Sequence, residues 1–250
     1  MTYCLGMLLR DGLIMMADSR TNAGVDNFSS FRKLHVLADV EERRIYAATA
    51  GSLSISQSVI SLVEEDQLAA ETGELGRCLA EATSMFKVAQ LVGEAVQRIG
   101  DTTGIALEKR HIDSDVELLV GGRVGDGPLR LFLVYSAGNF IECMSEVHFV
   151  QIGETKYGRP ILDRALRSDT PLDEAVKIGL LSFDSTMKSN LGVARPIDLV
   201  ILPSDRGLPP IGRRIERDDP YFDEITTSWA RMLREAVHAI PNPDWLIPNG

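Results

Sequence analysis

The chain has 250 residues, of which 44% are apolar and 25% charged, so it can build a substantial core and is neither disordered nor collagen-like. Its formal net charge of -10 and pI of about 4.9 disfavour nucleic acids and anionic membrane surfaces as partners. There is no apolar run long enough for a membrane helix and no basic leader at Met1. The three cysteines have no metal-binding spacing, which favours the reducing cytoplasm as the compartment.

The first fifty residues show the alternating hydrophobicity of strands, with turn residues at Asp11-Gly12. The predicted strands are 3–9, 13–17, 34–37 and 44–49. A helix follows from about Ser52. Residues 64–78 are acidic with weak periodicity, and we interpret them as a connection or a frayed helix end. The next helix carries the apolar residues Met85, Val88, Leu91 and Val92 on one face. We expect that stripe in the core, with a subunit interface as the alternative.

The middle of the chain returns to strands that are separated by Gly-, Pro- and Asn-containing turns, which predicts consecutive hairpins in an antiparallel sheet. These strands are 116–120, 129–135, 140–144 and 147–152. Two helices follow, and the clearer one is predicted to begin with Thr170 as N-cap and Pro171 at the first helical position.

A last core strand at 196–202 and a helix between Ile225 and Val237 complete the pattern, before a proline-containing irregular tail at about 240–250. Two facing antiparallel sheets, each covered outside by helices, would bury every apolar face. Other α+β arrangements would do so too, so periodicity alone predicts only the α+β class.

Conventional catalytic motifs are missing. The four histidines have no metal-ligand spacing, and the sequence lacks a G-x-S-x-G elbow, a P-loop and a G-x-G-x-x-G turn. A serine–histidine hydrolase, a metalloenzyme and a nucleotide-dependent enzyme therefore have no positive support. We predict no cofactor and no metal.

The N-terminus offers a different chemistry, because Thr2 becomes the first residue if Met1 is removed. An N-terminal threonine holds a hydroxyl nucleophile and an α-amine with a pKa of about 7.7–8, which can accept a proton near neutral pH. Cys4 is a competing nucleophile, but its place inside a strand favours a buried side chain.

Three further residues lie where they could serve such a nucleophile. Asp18 ends the second strand, Lys33 precedes the third, and Gly51 separates a strand from a helix. A lysine stabilises alkoxide character, an aspartate can orient that lysine, and a glycine N–H can stabilise an oxyanion. The alternative interpretations are a strand-end cap, a solvated charge and a helix entry.

This set resembles the proteasome-type β-subunits of the N-terminal nucleophile hydrolases. The stretches 1–4, 17–26 and 31–33 look like one bacterial branch, the Anbu (ancestral beta subunit) family, and the likeness spans essentially the whole chain. The resemblance implies a four-layer αββα sandwich, with residues 1–250 forming one proteasome-type domain.

Residue by residue, the resemblance implies that Thr2 is nucleophile and base, Lys33 tunes its hydroxyl, Asp18 pairs with Lys33, and the Gly51 N–H forms the oxyanion hole. Asp184 matches the aspartate that the family places near the N-terminal amine, and Ser189 is a weaker match. The family's Gly-Ser-Gly turn is replaced here by Gly153-Glu154-Thr155, so Glu154 or Thr155 is the candidate substitute for the serine.

The resemblance implies a cytoplasmic threonine-type peptidase that acts on peptides or unfolded polypeptides within a homo-oligomer of many subunits, as a closed ring or an open helical one. An unfoldase or operon partner stays open. The alternatives are a hydrolase of small amides and a non-catalytic ring-forming scaffold that binds peptides.

Overall fold

The computed structural model describes residues 1–22, 28–71, 78–144 and 147–246. The strands of this part of the chain are β1 (Tyr3–Leu9), β2 (Gly12–Asp18), β3 (Arg20–Asn22), β4 (Phe28–Ser30), β5 (Leu34–Val40), β6 (Arg43–Gly51), β7 (Val116–Val124), β8 (Arg130–Val134), β9 (Phe140–Glu142), β10 (Phe149–Gly153), β11 (Ile197–Pro203) and β12 (Ile211–Ile215). Its α-helices are α1 (Leu53–Glu71), α2 (Met85–Ile99), α3 (Ile105–Glu108), α4 (Arg159–Ala165), α5 (Leu172–Ser189) and α6 (Pro220–Ala239).

Two five-stranded sheets form the centre of the molecule. One has the order β10-β1-β2-β11-β12 and the other β5-β6-β7-β8-β9, and their neighbouring strands pair antiparallel. Strands β3 and β4 form a separate two-stranded ribbon.

Alternation along the strands produces the layers, because successive side chains point to opposite faces of a sheet. In β1, Tyr3 and Met7 pack toward α5, whereas Cys4 lies between the two sheets. In β6, Ala47 packs toward α1 and α2, whereas Ala48 faces the other sheet. Helices therefore cover the outer face of each sheet, which confirms the predicted four-layer αββα sandwich.

Strand directions bring the N-terminal residues close to the start of β5 and the end of β6. Cys4 pairs with Ala17, so β1 begins beside the end of β2, where Asp18 lies. Lys33 precedes β5 and its carbonyl accepts the Thr49 N–H at 2.9 Å. One end of the sandwich thus gathers the residues that the sequence singled out.

Several predicted details are corrected by the structure. The hairpin turn is Arg10-Asp11, and Gly12 already belongs to β2. Thr170 is not the N-cap of α5: that position is Pro171, and the Thr170 hydroxyl instead accepts the Arg167 N–H at 2.8 Å.

The connection predicted at 64–78 is helical as far as Glu71, and 72–77 lie outside the described residues. The apolar stripe of α2 lies in the core, as predicted, since Met85, Val88 and Val92 are buried and Leu91 packs against them. The short strands β3, β4 and β12 were not predicted. Beyond α6, residues 244–246 form a 3-10 turn, and the last four residues of the predicted tail are outside the described part.

None of the helices in the described ranges is long and apolar enough to cross a membrane.

Candidate active site

Thr2 lies immediately before β1, and hydrogen bonds hold the peptide group that joins it to Tyr3. Only 9% of the residue is exposed. Its carbonyl accepts the Glu154 N–H at 2.7 Å, and the next N–H along the chain, that of Tyr3, donates to Asp18 Oδ1 at 2.9 Å. The backbone around Thr2 is therefore fixed by the turn after β10 and by the end of β2.

Asp18 and Lys33 form a buried ion pair next to Thr2. Lys33 Nζ donates to Asp18 Oδ1 at 2.9 Å, and the two side chains are 5% and 0% exposed. The same oxygen accepts the Tyr3 N–H, so Lys33 Nζ lies within two hydrogen-bond lengths of the nitrogen that follows Thr2. This places an ammonium group beside the residue predicted to be the nucleophile.

Additional hydrogen bonds compensate the burial of the pair. Asp18 Oδ2 accepts the Arg20 N–H at 3.0 Å, and Lys33 Nζ also donates to the Arg20 carbonyl at 2.6 Å. Burial raises the pKa of the Asp18 carboxyl, whereas the Lys33 ammonium and the two backbone donors oppose that rise. Such compensation is what a buried charge pair needs to persist in a fold.

Gly51 ends β6 in a conformation that favours glycine. Its φ is +97°, and a Cβ there would lie 2.2 Å from the Asp115 carbonyl oxygen. Two residues earlier, Thr49 bonds the Lys33 carbonyl and accepts a contact from Cys4 Sγ at 3.5 Å. The end of β6 is thereby tied to both Lys33 and β1.

The turn Gly153-Glu154-Thr155 closes over Thr2. Gly153 has a φ of +80°, and a Cβ there would lie 2.2 Å from the Thr2 carbonyl oxygen. The Glu154 carboxylate accepts a hydrogen bond from Asn190 Nδ2 at 3.0 Å, and Asn190 Oδ1 accepts the Gly192 N–H at 2.8 Å. A carboxylate therefore occupies the turn for which the resemblance implies a serine.

Asp184 is buried in α5, and its Oδ2 accepts a hydrogen bond from Lys188 at 2.9 Å. Together with Arg20 and Ser30 it lines a cleft of about 570 Å³. Ser189 is the last residue of α5 and is exposed. Asp184 is thus near the Arg20 segment, whereas no hydrogen bond in the described ranges joins Ser189 to Thr2.

The structure therefore brings together Thr2, Asp18 and Lys33, with Gly51 at the same end of the sandwich. Residues 23–26, part of the family resemblance, lie outside the described residues. The sequence did not point to the Arg20 carbonyl or to Asn190. The first is a backbone group without a side-chain signal, and the second meets Glu154 only through tertiary structure.

The four candidates combine a hydroxyl, a buried ion pair close to it and a glycine backbone at a strand end, and groups of these types can serve acyl transfer. In the described ranges, no group of three or more His, Cys, Asp or Glu side chains is placed to hold a metal ion. Cys4, Cys78 and Cys143 are buried and unpaired, and burial raises the pKa of the Cys4 thiol, so Cys4 is a poor nucleophile.

Comparison with solved structures gives close matches over almost the whole chain. Anbu from Yersinia bercovieri is 40% identical with a TM-score of 0.88, covering 97% of this chain and 99% of that one. Anbu from Hyphomicrobium sp. strain MC1 is 42% identical with a TM-score of 0.86, covering 97% and 99%. A structure described as the helical assembly of the Anbu complex from Pseudomonas aeruginosa is 39% identical with a TM-score of 0.87, covering 96% and 98%.

Among curated proteins, a proteasome subunit beta of Ferroglobus placidus (strain DSM 10642 / AEDII12DO) is 26% identical over 202 residues, which is 80% of this chain and 85% of the relative. No family model matches the chain.

Proposed function

The chain belongs to the Anbu family of proteasome-like proteins, and from that premise we propose that it is a threonine-type amide hydrolase whose nucleophile is Thr2. The observation that carries the proposal is the buried Asp18–Lys33 pair, hydrogen-bonded to the N–H that follows Thr2. A charge pair at this depth is costly to build, and its position beside Thr2 supports a role for it in the chemistry of that residue.

In the proposed reaction, removal of Met1 frees the Thr2 amine, which takes the hydroxyl proton as Oγ1 attacks the substrate carbonyl. The Lys33 ammonium stabilises the alkoxide character of Oγ1, and Asp18 orients Lys33. The Gly51 N–H donates to the oxyanion of the tetrahedral intermediate. Collapse returns the proton to the leaving amine and leaves an ester on Thr2, which water then hydrolyses.

Proton handling at the freed amine is assigned to two carboxylates. Glu154 fills the turn position of the family's serine and is bonded to Asn190, while Asp184 lines the neighbouring cleft. Ser189 keeps a lesser role in the proposal because it is exposed at the end of α5.

For the whole protein we propose one proteasome-type domain over residues 1–250 that assembles with copies of itself and hydrolyses peptides or unfolded polypeptides in the cytoplasm. The helical assembly of the relative from Pseudomonas aeruginosa supports a multi-subunit ring or open helix here. Enclosing the sites in an assembly would restrict access of folded proteins to Thr2.

The proposal predicts that Thr2→Ala reduces amide hydrolysis to background while the fold is kept, since one residue supplies both nucleophile and base. The assay uses a panel of fluorogenic peptides and simple amides, with intact mass to measure Met1 removal and a threonine-directed covalent probe to measure reactivity. Thr102→Ala, at an exposed threonine whose hydroxyl donates to the Arg98 and Ile99 carbonyls, is the matched control.

Equal turnover by Thr2→Ala and the parent eliminates the mechanism. Turnover of simple amides without peptides would favour the small-amide alternative. A parent with a free Thr2 amine that neither turns over nor reacts with the probe would favour the non-catalytic scaffold.

A further inference from the structure

Four arginines line a cleft at the end of the sandwich opposite Thr2. Strand β6 runs from Arg43 to Gly51, so Arg44 lies about 23 Å along the strand from Gly51. A cleft of about 700 Å³ opens at this far end. Its basic lining residues, here named the arginine cleft, are Arg43, Arg44, Arg123 and Arg206.

Two of these arginines face each other in the sheet. Arg44 on β6 is the register partner of Arg123 on β7. Like charges directly opposite each other across antiparallel strands are destabilising. The fold therefore keeps a repulsive pair at this position.

Within the described ranges, the guanidinium of Arg44 has N–H donors without hydrogen-bond acceptors. Its Nε and Nη1 are buried and have no hydrogen-bond partner. An ion pair joins its Nε to Asp39 Oδ1 at 3.8 Å, too long for a hydrogen bond, and the Asp39 side chain is half exposed. Unpaired buried donors cost free energy, more so when they are charged.

Arg123 is also weakly partnered for a buried cation. It is 4% exposed, and Nη1 reaches the carbonyl oxygens of Pro203 and Ser204 only at 3.5 and 3.4 Å. Burial and the charges of Arg206 and Arg44 lower the pKa of Arg123. The more distant Asp205 offsets this only in part, and in the described ranges neither Arg44 nor Arg123 has a carboxylate within hydrogen-bond distance. Two buried cations that repel each other without such a partner favour an external anion.

The acidic residues of the same cleft lie at its rim. Glu41, Glu42, Glu81 and Asp126 line it and are exposed. Asp126 binds Arg206, whose side chain is 43% exposed. Because the interior is positive and the rim negative, a compact anion is favoured over an extended polyanion such as nucleic acid.

We propose that the arginine cleft binds a small oxyanion, inorganic phosphate or a phosphate monoester, between Arg44, Arg123 and Arg206. Guanidinium groups present planar pairs of N–H donors that match phosphate oxygens, and a dianion in their midst would offset the repulsion across β6 and β7. The proposal is independent of hydrolysis at Thr2, because it concerns the other end of the molecule.

Equilibrium dialysis of the full chain against labelled inorganic phosphate, at constant ionic strength, tests the proposal. We expect saturable binding near one phosphate per protomer, weakened about tenfold by Arg44→Gln and by Arg206→Gln, since each removes a charge-assisted donor. Displacement of the label by AMP but not by adenosine assigns the site to monoesters, and displacement by unlabelled phosphate alone assigns it to the free ion.

Arg231→Gln, which removes an exposed arginine of α6, is the control and should bind phosphate like the parent. Circular dichroism checks that each variant folds. If Arg44→Gln does not fold, Arg206→Gln still tests the proposal. The absence of saturable binding by the parent overturns the proposal, and so does parental binding by every folded cleft variant, or an equal loss in Arg231→Gln.

Discussion

Lys33 and Asp18 form an ion pair that is almost fully shielded from solvent. Their side chains are 5% and 0% exposed, and among the described residues Lys33 Nζ bonds to Asp18 and to the Arg20 carbonyl. Removing one partner leaves the other buried and uncompensated, which is more destabilising than the loss of an exposed ion pair.

Lys33→Ala is expected to abolish hydrolysis and to lower the free energy of unfolding by about 3 kcal/mol or more. The stability loss follows from the stranded Asp18 carboxylate, and the activity loss from the missing ammonium beside Thr2. Urea unfolding and peptide turnover measure the two effects separately.

A second variant separates chemistry from structure in this pair. Asp18→Asn combined with Lys33→Met removes both charges, so most of the lost stability should return while turnover stays at background. Parental turnover by either variant at every pH tested would refute the proposed role of Lys33.

At this scale, the sequence pointed to the Asp18 and Lys33 side chains and to the Gly51 N–H, but not to two other backbone groups that bond Thr2 and Lys33. Asp18 and Lys33 could be found because strand boundaries and residue type place a carboxylate and an amine near Thr2. The Glu154 N–H and the Arg20 carbonyl could not, since any residue supplies such groups and only the fold decides where they point.

At the scale of elements, the predicted hairpins are confirmed because their strands are long enough to alternate between two buried faces. The three-residue strands β3 and β4 are too short for a period of two to be recognised, and β12, at a sheet edge, buries only Ile215 of its five residues. Helix α1 was predicted too short because its apolar periodicity ends at Val63, where three acidic residues, 64–66, follow.

Tyr3 connects β1 to the helix layer through a buried phenol. Its hydroxyl is 2.6 Å from Ser182 Oγ on α5 and accepts a hydrogen bond from Gln151 Nε2 at 2.6 Å, while its ring packs 4.5 Å from that of Phe183. Burial raises the pKa of Tyr3 above its ordinary value of 10.0. The folded state therefore retains this proton, so the contribution to stability is complete below about pH 10 and is lost as the pH rises above it.

Tyr3→Phe is expected to cost about 1 kcal/mol at neutral pH, since the hydrogen bonds to Ser182 and Gln151 are lost, and to flatten the decline of stability above about pH 10. Denaturant midpoints across the alkaline range measure the slope. Tyr221→Phe, at a tyrosine that is 48% exposed, is the control. An alkaline slope unchanged from the parent in Tyr3→Phe would contradict the expectation.

On the scale of the whole molecule, the two ends of the sandwich differ in chemistry. One end carries Thr2 and the Asp18–Lys33 pair, and the other carries the arginine cleft, at opposite ends of β6. The outer helix layers differ as well. The apolar stripe of α2 is buried, whereas α6 buries Phe222 near its start and exposes apolar side chains along its second half.

The exposed apolar side chains of α6 and the segment after it lie on one continuous stretch of chain. They are Met232, Leu233, Val237, Ile240 and Trp245, between 46% and 82% exposed. Apolar surface of this extent on a helix is typical of an interface, and the proposed assembly needs contacts that repeat from one subunit to the next. We expect this face of α6 to pack against a neighbouring subunit.

Val237→Glu should therefore reduce the mass of the assembly measured by light scattering at micromolar concentration, because a carboxylate in an apolar interface loses its hydration. Leu68→Glu, at an equally exposed leucine of α1, should leave that mass unchanged. A parent protein that is a monomer or dimer would contradict the assembly itself. A full-sized assembly of Val237→Glu would show instead that the interface lies on another face. Imaging of the parent would distinguish a closed ring from an open helix, since only a heterologous contact whose rotation closes can form a ring.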